Sequence, residues 1–282
     1  MKTAILTDST CNLSKDYLLN NKNIFVLPLN ISMDGKIFKD QIEISSSEVY
    51  EKLDAHDVKT SLSNVGDVEE IIESIKNKGY EKLLIINLSS NLSGTHNVFR
   101  LVATETKGIE IALYDSKTLG MGLGYLVMEA NKMIDNGLEL NEIVTNLDDI
   151  RFNKMITIFS IETLKYLKAG GRIGKVEGTI ADILRIKPII CVGDDGIYYT
   201  RVKARGNNRA LTKLVDVLLE KYHSKKINLT VHYGNNLEKA QKFLNRLKLE
   251  LNVNEIDICE ITPVLGVHTG PGIIGVAAYE ID

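Results

Sequence analysis

Hydroxyl side chains recur just before helix-like stretches in this sequence, and that pairing suits the binding of an anion. Ser89, Ser90 and Ser93 follow an apolar run at residues 83–87, and Gly94 comes directly after the last serine. Residues 94–106 read as a helix. A Ser-Gly pair at a helix start offers a hydroxyl and backbone N–H groups without partners inside the helix, and the helix dipole favours negative charge there. Such a pair, following a strand, lies at the carboxyl edge of a parallel sheet, where ligands of open α/β sheets sit. Ser93 and Gly94 are therefore candidates to hold an anionic group; a plain helix cap is the alternative for Ser93.

The pattern returns elsewhere. Asp8, Ser9 and Thr10 follow the apolar run 3–7, where a turn with an Asp side chain bonded to nearby backbone is the alternative reading. Thr60 and Ser61 precede a helix predicted over 65–78, and capping needs only one of them. Residues 262–272, TPVLGVHTGPG, read as a tight loop with a specified backbone path. It carries His268, one of five histidines, and Thr269. If two domains face each other, this loop can close over Ser93. Arg172 stands between glycines in AGGRIGK, where its planar fork suits a carboxylate or phosphate.

These groups need a scaffold. At 282 residues, two domains are the natural expectation. Up to about residue 151 strand and helix signals alternate: strands at 3–7, 24–31, 83–87 and 109–114, with a turn at Asp34-Gly35 and a capping box at Ser45 and Glu48. Asp115 and Ser116 end the fourth strand, and a helix follows Gly120 to about 136. The order predicts an N-terminal domain, 1–152, with a parallel sheet between helical layers. A second α/β domain, 153–282, is expected to hold a mixed sheet. Its strands are placed at 155–159, 189–192, 197–202, 228–232, 255–261 and 275–281, and its helices at 162–168, 208–221 and 237–251. Asp194-Asp195-Gly196 between the second and third of those strands signals an antiparallel hairpin.

Composition narrows the function. The chain is 44% hydrophobic and 25% charged with a net charge of −3, ordinary for a globular protein and unlike a nucleic-acid binder. Cys11, Cys191 and Cys259 are too far apart for a metal cluster, so reduced cytoplasmic thiols are expected. No signal peptide or membrane span is expected. Two nucleotide fingerprints fail. Tyr125 replaces the third glycine after Gly120 and Gly122, and Ala169 and Val176 break the P-loop pattern around Lys175. Residues 165–213 hold 11 Lys/Arg against 4 Asp/Glu, either a solvated face or a docking surface for an acidic or phosphorylated partner.

The motifs taken together resemble the DegV family, the fatty-acid-binding proteins that include the FakB subunits of bacterial fatty acid kinase. The matching pieces are TDST at 7–10, KTS at 59–61, NLSGTHN at 91–97, YDSKTLGMGLG at 114–124, LKAGGRIGK at 167–175 and VHTGPGIIG at 267–275. They occur in family order over nearly the whole chain. The resemblance implies two α/β domains with a long-chain fatty acid between them, its acyl chain in an apolar tunnel and its carboxylate held by hydroxyls. Carried over by position, Thr60, Ser61 and Ser93 would contact the carboxylate and His268 would support them. Arg172 and Arg205 would match basic positions that meet the kinase subunit or the acyl phosphate. Where the family usually continues KTS with Gln-Pro-Ser, this chain has Leu62-Ser63-Asn64, which bears on the loop after Ser61.

The expected role is a cytoplasmic carrier in phospholipid synthesis that presents its lipid to a separate fatty acid kinase catalytic chain. No cofactor, metal or nucleic acid is expected, and a transient contact with a membrane surface is left open. The rival is an esterase using Ser93 and His268, with Asp115 completing a triad in residue types. The elbow G-x-S-x-G is absent, since Asn91 and Thr95 hold the glycine positions. A regulatory module for another small anion is a third reading.

Overall fold

Strands buried on both faces organise the N-terminal half. The computed structural model describes residues 2–179 and 186–281. In chain order the first elements are β1 (Thr3–Asp8), α1 (Lys15–Asn20), β2 (Ile24–Leu27), β3 (Asn30–Met33), β4 (Lys36–Lys39), α2 (Ser46–Lys52), β5 (Val58–Ser61), α3 (Val65–Asn77), β6 (Lys82–Asn87), α4 (Thr95–Glu105), β7 (Glu110–Asp115), α5 (Met121–Asp135) and α6 (Leu140–Asp149). Strands β2-β1-β6-β7 form a parallel sheet in that order. The period-2 alternation of a strand sorts its side chains. Ala4, Leu6, Leu83 and Ile85 pack with α3 and α4, whereas Ile5, Leu84 and Ile86 face the side of Leu123 and Leu126 on α5. Helices therefore cover both faces, the three-layer arrangement expected.

The second half runs β8 (Met155–Ser160), α7 (Lys165–Ala169), β9 (Ile186–Val192), β10 (Tyr198–Arg205), α8 (Asn207–Tyr222), β11 (Ile227–Tyr233), α9 (Leu237–Glu250), β12 (Val253–Glu260), α10 (Pro263–Thr269) and β13 (Ile274–Glu280). The sheet order is β10-β9-β8-β13-β11-β12, antiparallel except for β11 with β12, so it is mixed as expected. Helices α8 and α9 cover one face through Leu214, Leu218, Phe243 and Leu247. The other face, with Phe159, Ile190 and Tyr279, joins the α5 side of the first sheet in one continuous core. No helix among the described residues is long and apolar enough to cross a membrane.

Several local expectations need correcting. The single strand over 24–31 is two, split at Pro28, which has no N–H for a ladder and redirects the chain. Its second half, β3, centres a small antiparallel sheet, β4-β3-β5. Thr60 and Ser61, expected only as hydroxyls ahead of a helix, belong to β5 of that sheet. The loop over 262–272 contains a helix, α10, with Thr262 as N-cap and Pro263 in the first turn, where a missing N–H costs nothing. The helix expected at 162–168 starts later, as α7, and α6 was not anticipated.

Candidate ligand-binding site

Strands β1, β6 and β7 all end at the same edge of the parallel sheet, and the loop from β6 to α4 carries Ser93 there. Ser93 is half-buried; its Oγ accepts from the Thr95 N–H at 3.2 Å and lies 2.8 Å from Thr95 Oγ1. The N-cap position itself is Gly94, which has no side-chain cap. Ser93 thus tightens the helix start and still holds a hydroxyl at the sheet edge. A Cβ on Gly94 would stand 3.1 Å from Leu62 Cδ2, so the side chain of Leu62 leans over this helix end.

Thr60 meets His268 from the other half of the chain, with Oγ1 to Nε2 at 2.9 Å. Ser61 is exposed and, one residue along the strand, faces away from Thr60. Burial, together with the positive charge of Arg172, pushes the His268 imidazole down to about 4, so it is neutral at pH 7 and can donate one N–H. Its Nδ1 is buried without a partner. The ring rests on Gly170: a Cβ there would sit 2.1 Å from Nδ1, so any larger residue at 170 would push the imidazole aside. Arg172 donates from Nη1 to the Gly170 carbonyl (2.6 Å) and from Nε to the Leu92 carbonyl (3.1 Å). Thr60, His268, Gly170, Arg172 and the Leu92 carbonyl are therefore linked in a chain of contacts that leads to the residue before Ser93.

Two further polar residues lie on or next to β3 and β5: Ser63, noted in the sequence only as a departure after KTS, and Asn30, which sequence reasoning did not single out. Ser63 Oγ and Asn30 Oδ1 are buried without partners, while Asn30 Nδ2 donates to the Leu62 carbonyl at 3.0 Å. The only available signal was a polar residue inside the apolar run that became β3. Thr269 is buried and donates to the Leu265 carbonyl at 3.1 Å. With Leu265 it lines a small, nearly all-apolar cavity of about 40 Å³ that also touches Leu119, Phe159, Tyr198 and Ile273. Helix α10 thus turns His268 toward the hydroxyls and its neighbouring face toward an apolar space.

Arg205 stands apart. It lies in an open surface depression with Lys187, Asn208 and Arg209 at the start of α8. That depression, and a polar one between α8 and α9, are roomier than the apolar cavity, but neither holds the hydroxyls. The triad geometry is not made. Ser93 Oγ bonds Thr95, His268 Nε2 bonds Thr60, and Asp115 binds the Ser90 N–H (3.1 Å) and the Lys117 ammonium (2.6 Å). A base must reach its nucleophile and be oriented by the acid, and here neither contact exists.

A family model described as "Uncharacterised protein, DegV family" matches residues 2–280. The chain belongs to the DegV family. A DegV domain-containing protein of Clostridium acetobutylicum is 38% identical to it over 279 residues, 99% of each chain. A solved DegV family protein from Thermus thermophilus, described for fatty acid binding, covers 100% of both chains with a TM-score of 0.92 at 27% identity. A stearic-acid-binding protein from Eubacterium ventriosum covers 99% of this chain and 98% of its own with a TM-score of 0.88 at 27% identity.

Buried titratable groups of this DegV chain oppose one another in acid. His268 and His232 are both held near 4 by burial, with the Arg172 charge adding at His268, so between pH 6.5 and 4 the unfolded chain binds more protons there. Stability from these two groups is lost as pH falls through that window. Asp40 is raised to about 6 by burial, so the folded chain takes up its proton first, which adds stability as pH falls from 6 toward 3.8; Asp8, raised by the same cause, acts in the same direction. The expected result is a shallow Tm profile between pH 7 and 4.5, turning into a distinct acid loss in Asp40→Asn. An unchanged slope in that variant would show that Asp40 stays ionised throughout.

Proposed function

We propose that this chain binds a long-chain fatty acid and presents its carboxylate to a separate ATP-dependent kinase chain for acyl-phosphate formation in phospholipid synthesis. The observation that carries this reading is the Thr60–His268 hydrogen bond between distant parts of the chain, made by a helix whose next face lines a nearly all-apolar cavity. The fatty-acid binding described for the similar Thermus and Eubacterium proteins supports it. A buried carboxylate needs several donors, and unpaired burial is costly. The Thr60 and Ser93 hydroxyls and backbone N–H groups near Gly94 supply donors; His268 gives its one N–H to Thr60 Oγ1, which leaves the Thr60 proton for the carboxylate, and Thr269 stands at the passage to the apolar cavity. Ser61, on the outer side of β5, would act at the rim.

The acyl chain supplies the affinity. At roughly 0.8 kcal/mol per buried CH₂, a sixteen-carbon chain offers on the order of ten kcal/mol before ordering costs. The cavity of about 40 Å³ is too small for such a chain, so the apolar side chains around it must turn aside as the lipid enters. Arg172 would hold the loop before Ser93 and meet the phosphoryl group, and Arg205 would meet the kinase. In this reading the ligand lies between units 1–152 and 153–282. Mass spectrometry of an organic extract, set against the native mass of the purified protein, tests it: about one fatty acid per chain is expected, lost on delipidation. An empty protein that takes up no added fatty acid would refute it.

A further inference from the structure

Two buried carboxylates, Asp8 and Asp40, sit in a region where a fatty-acid site needs no acid. Asp8 closes β1 and is fully buried. Its Oδ2 accepts from the Leu88 N–H at 2.8 Å, and its Oδ1 from the Thr10 N–H at 3.0 Å and the Thr10 hydroxyl at 2.5 Å. Leu88 opens the loop that leads to Ser93. The neighbouring Ser9 hydroxyl accepts from the Leu29 N–H at 3.1 Å and donates to Asp40 Oδ2 at 2.6 Å. Asp40, 1% exposed, uses its Oδ1 to accept from the Val264 N–H at 2.9 Å. Val264 lies in the first turn of α10, the helix that carries His268. Ser46 ties the same approach, donating to the Ile261 carbonyl at 2.9 Å.

A continuous path therefore runs from the Ser93 loop through Asp8, Ser9 and Asp40 to the N-terminus of α10. Its last link, the Asp40–Val264 bond, joins residues 224 apart, with no local sequence to set their spacing. Donors that must converge on one carboxylate tolerate little error, because hydrogen bonds weaken steeply beyond about 3.2 Å. Buried ionisable groups give little net stability over well-packed apolar ones, so their use here calls for a role in placement. We propose that Asp8, Ser9 and Asp40 are positioning residues of the carboxylate site, fixing α10, and with it His268, relative to the Ser93 loop. This rests on the fatty-acid reading.

The test is a double-mutant cycle on the dissociation constant for palmitate, using the full chain, Asp40→Asn, His268→Ala and the double variant. An asparagine keeps the shape but can accept from only one of the Ser9 hydroxyl and the Val264 N–H. Asp40→Asn alone is expected to weaken binding by about tenfold, and to weaken it far less once His268 is gone. Losses that multiply in the double variant would mean Asp40 acts on general stability, and would overturn the proposal. If Asp40→Asn does not fold, Ser9→Ala takes its place in the cycle. If the unmodified protein binds no palmitate, the fatty-acid reading fails separately. Placement is then read from the His268 ring signals in ¹H–¹⁵N NMR, where Asp40→Asn should move them and an unmoved signal would overturn it.

Discussion

Replacing Thr60 and Ser93 together by alanine is expected to leave the purified protein without lipid. Each hydroxyl that donates to a charged carboxylate contributes on the order of 1.5–3 kcal/mol, so losing both weakens binding by roughly a hundredfold to ten-thousandfold. The apolar contribution of the acyl chain survives this change, so a fatty alcohol of equal length should bind the variant and the unmodified protein alike. That contrast isolates the carboxylate. Thr60→Ala also removes the partner of His268 Nε2, but a neutral imidazole carries no charge to strand. Dissociation constants for the acid and the alcohol, measured side by side, decide the matter. An equal loss for both ligands would show that the two hydroxyls shape the pocket without contacting the head group.

Arg151→Met is expected to give the largest loss of stability. Arg151 is 4% exposed and its guanidinium donates to the carbonyls of Ser116 (3.1 Å), Lys117 (2.7 Å) and Gly193 (2.7 Å). The first two follow β7 in the parallel sheet and the third follows β9 in the mixed sheet, so one side chain joins them. The turn after Gly193 then docks on the loop before Ser93, with Ser89 Oγ donating to the Gly196 carbonyl at 2.9 Å and Asn91 Nδ2 to the Asp195 carbonyl at 2.6 Å. Methionine fills the volume but leaves three carbonyls, one buried and two part-buried, without their donor, at a cost of about 3–5 kcal/mol, or a Tm lower by on the order of 10 °C. Lysine, with one ammonium in place of a planar fork, should recover only part of this. A Tm within a degree or two of the unmodified protein would show that water takes over these carbonyls.

Much of the local structure was legible because it depends on neighbours in the chain. The buried runs of β1 and β6, the Ser45–Glu48 capping box of α2 and the Asp194–Gly196 turn between β9 and β10 each follow from a few adjacent residues. Their order was enough for a parallel sheet followed by a mixed one. Short segments were misread where partners from elsewhere decide the outcome. Strand β5 is four residues long and exists because β3 supplies its ladder. Helix α10 was hidden by its Gly and Pro content, although Thr262-Pro263 is itself a helix-start pair.

The candidate site divides along the same line. Which residue types would meet an anion, hydroxyls before helices and an arginine among glycines, could be read from local order, and six motifs in family order pointed to the DegV family. Tertiary structure alone brings Thr60 to His268 across 208 residues and leaves Ser61 on the outer side of β5. It also places Arg205 away from the hydroxyls, and links Asp40 to α10. The physical reason is that periodicity and caps record only whether a side chain turns toward the interior. Which other side chain it finds there depends on how two sheets and their helices share one core, and no spacing along the chain carries that information.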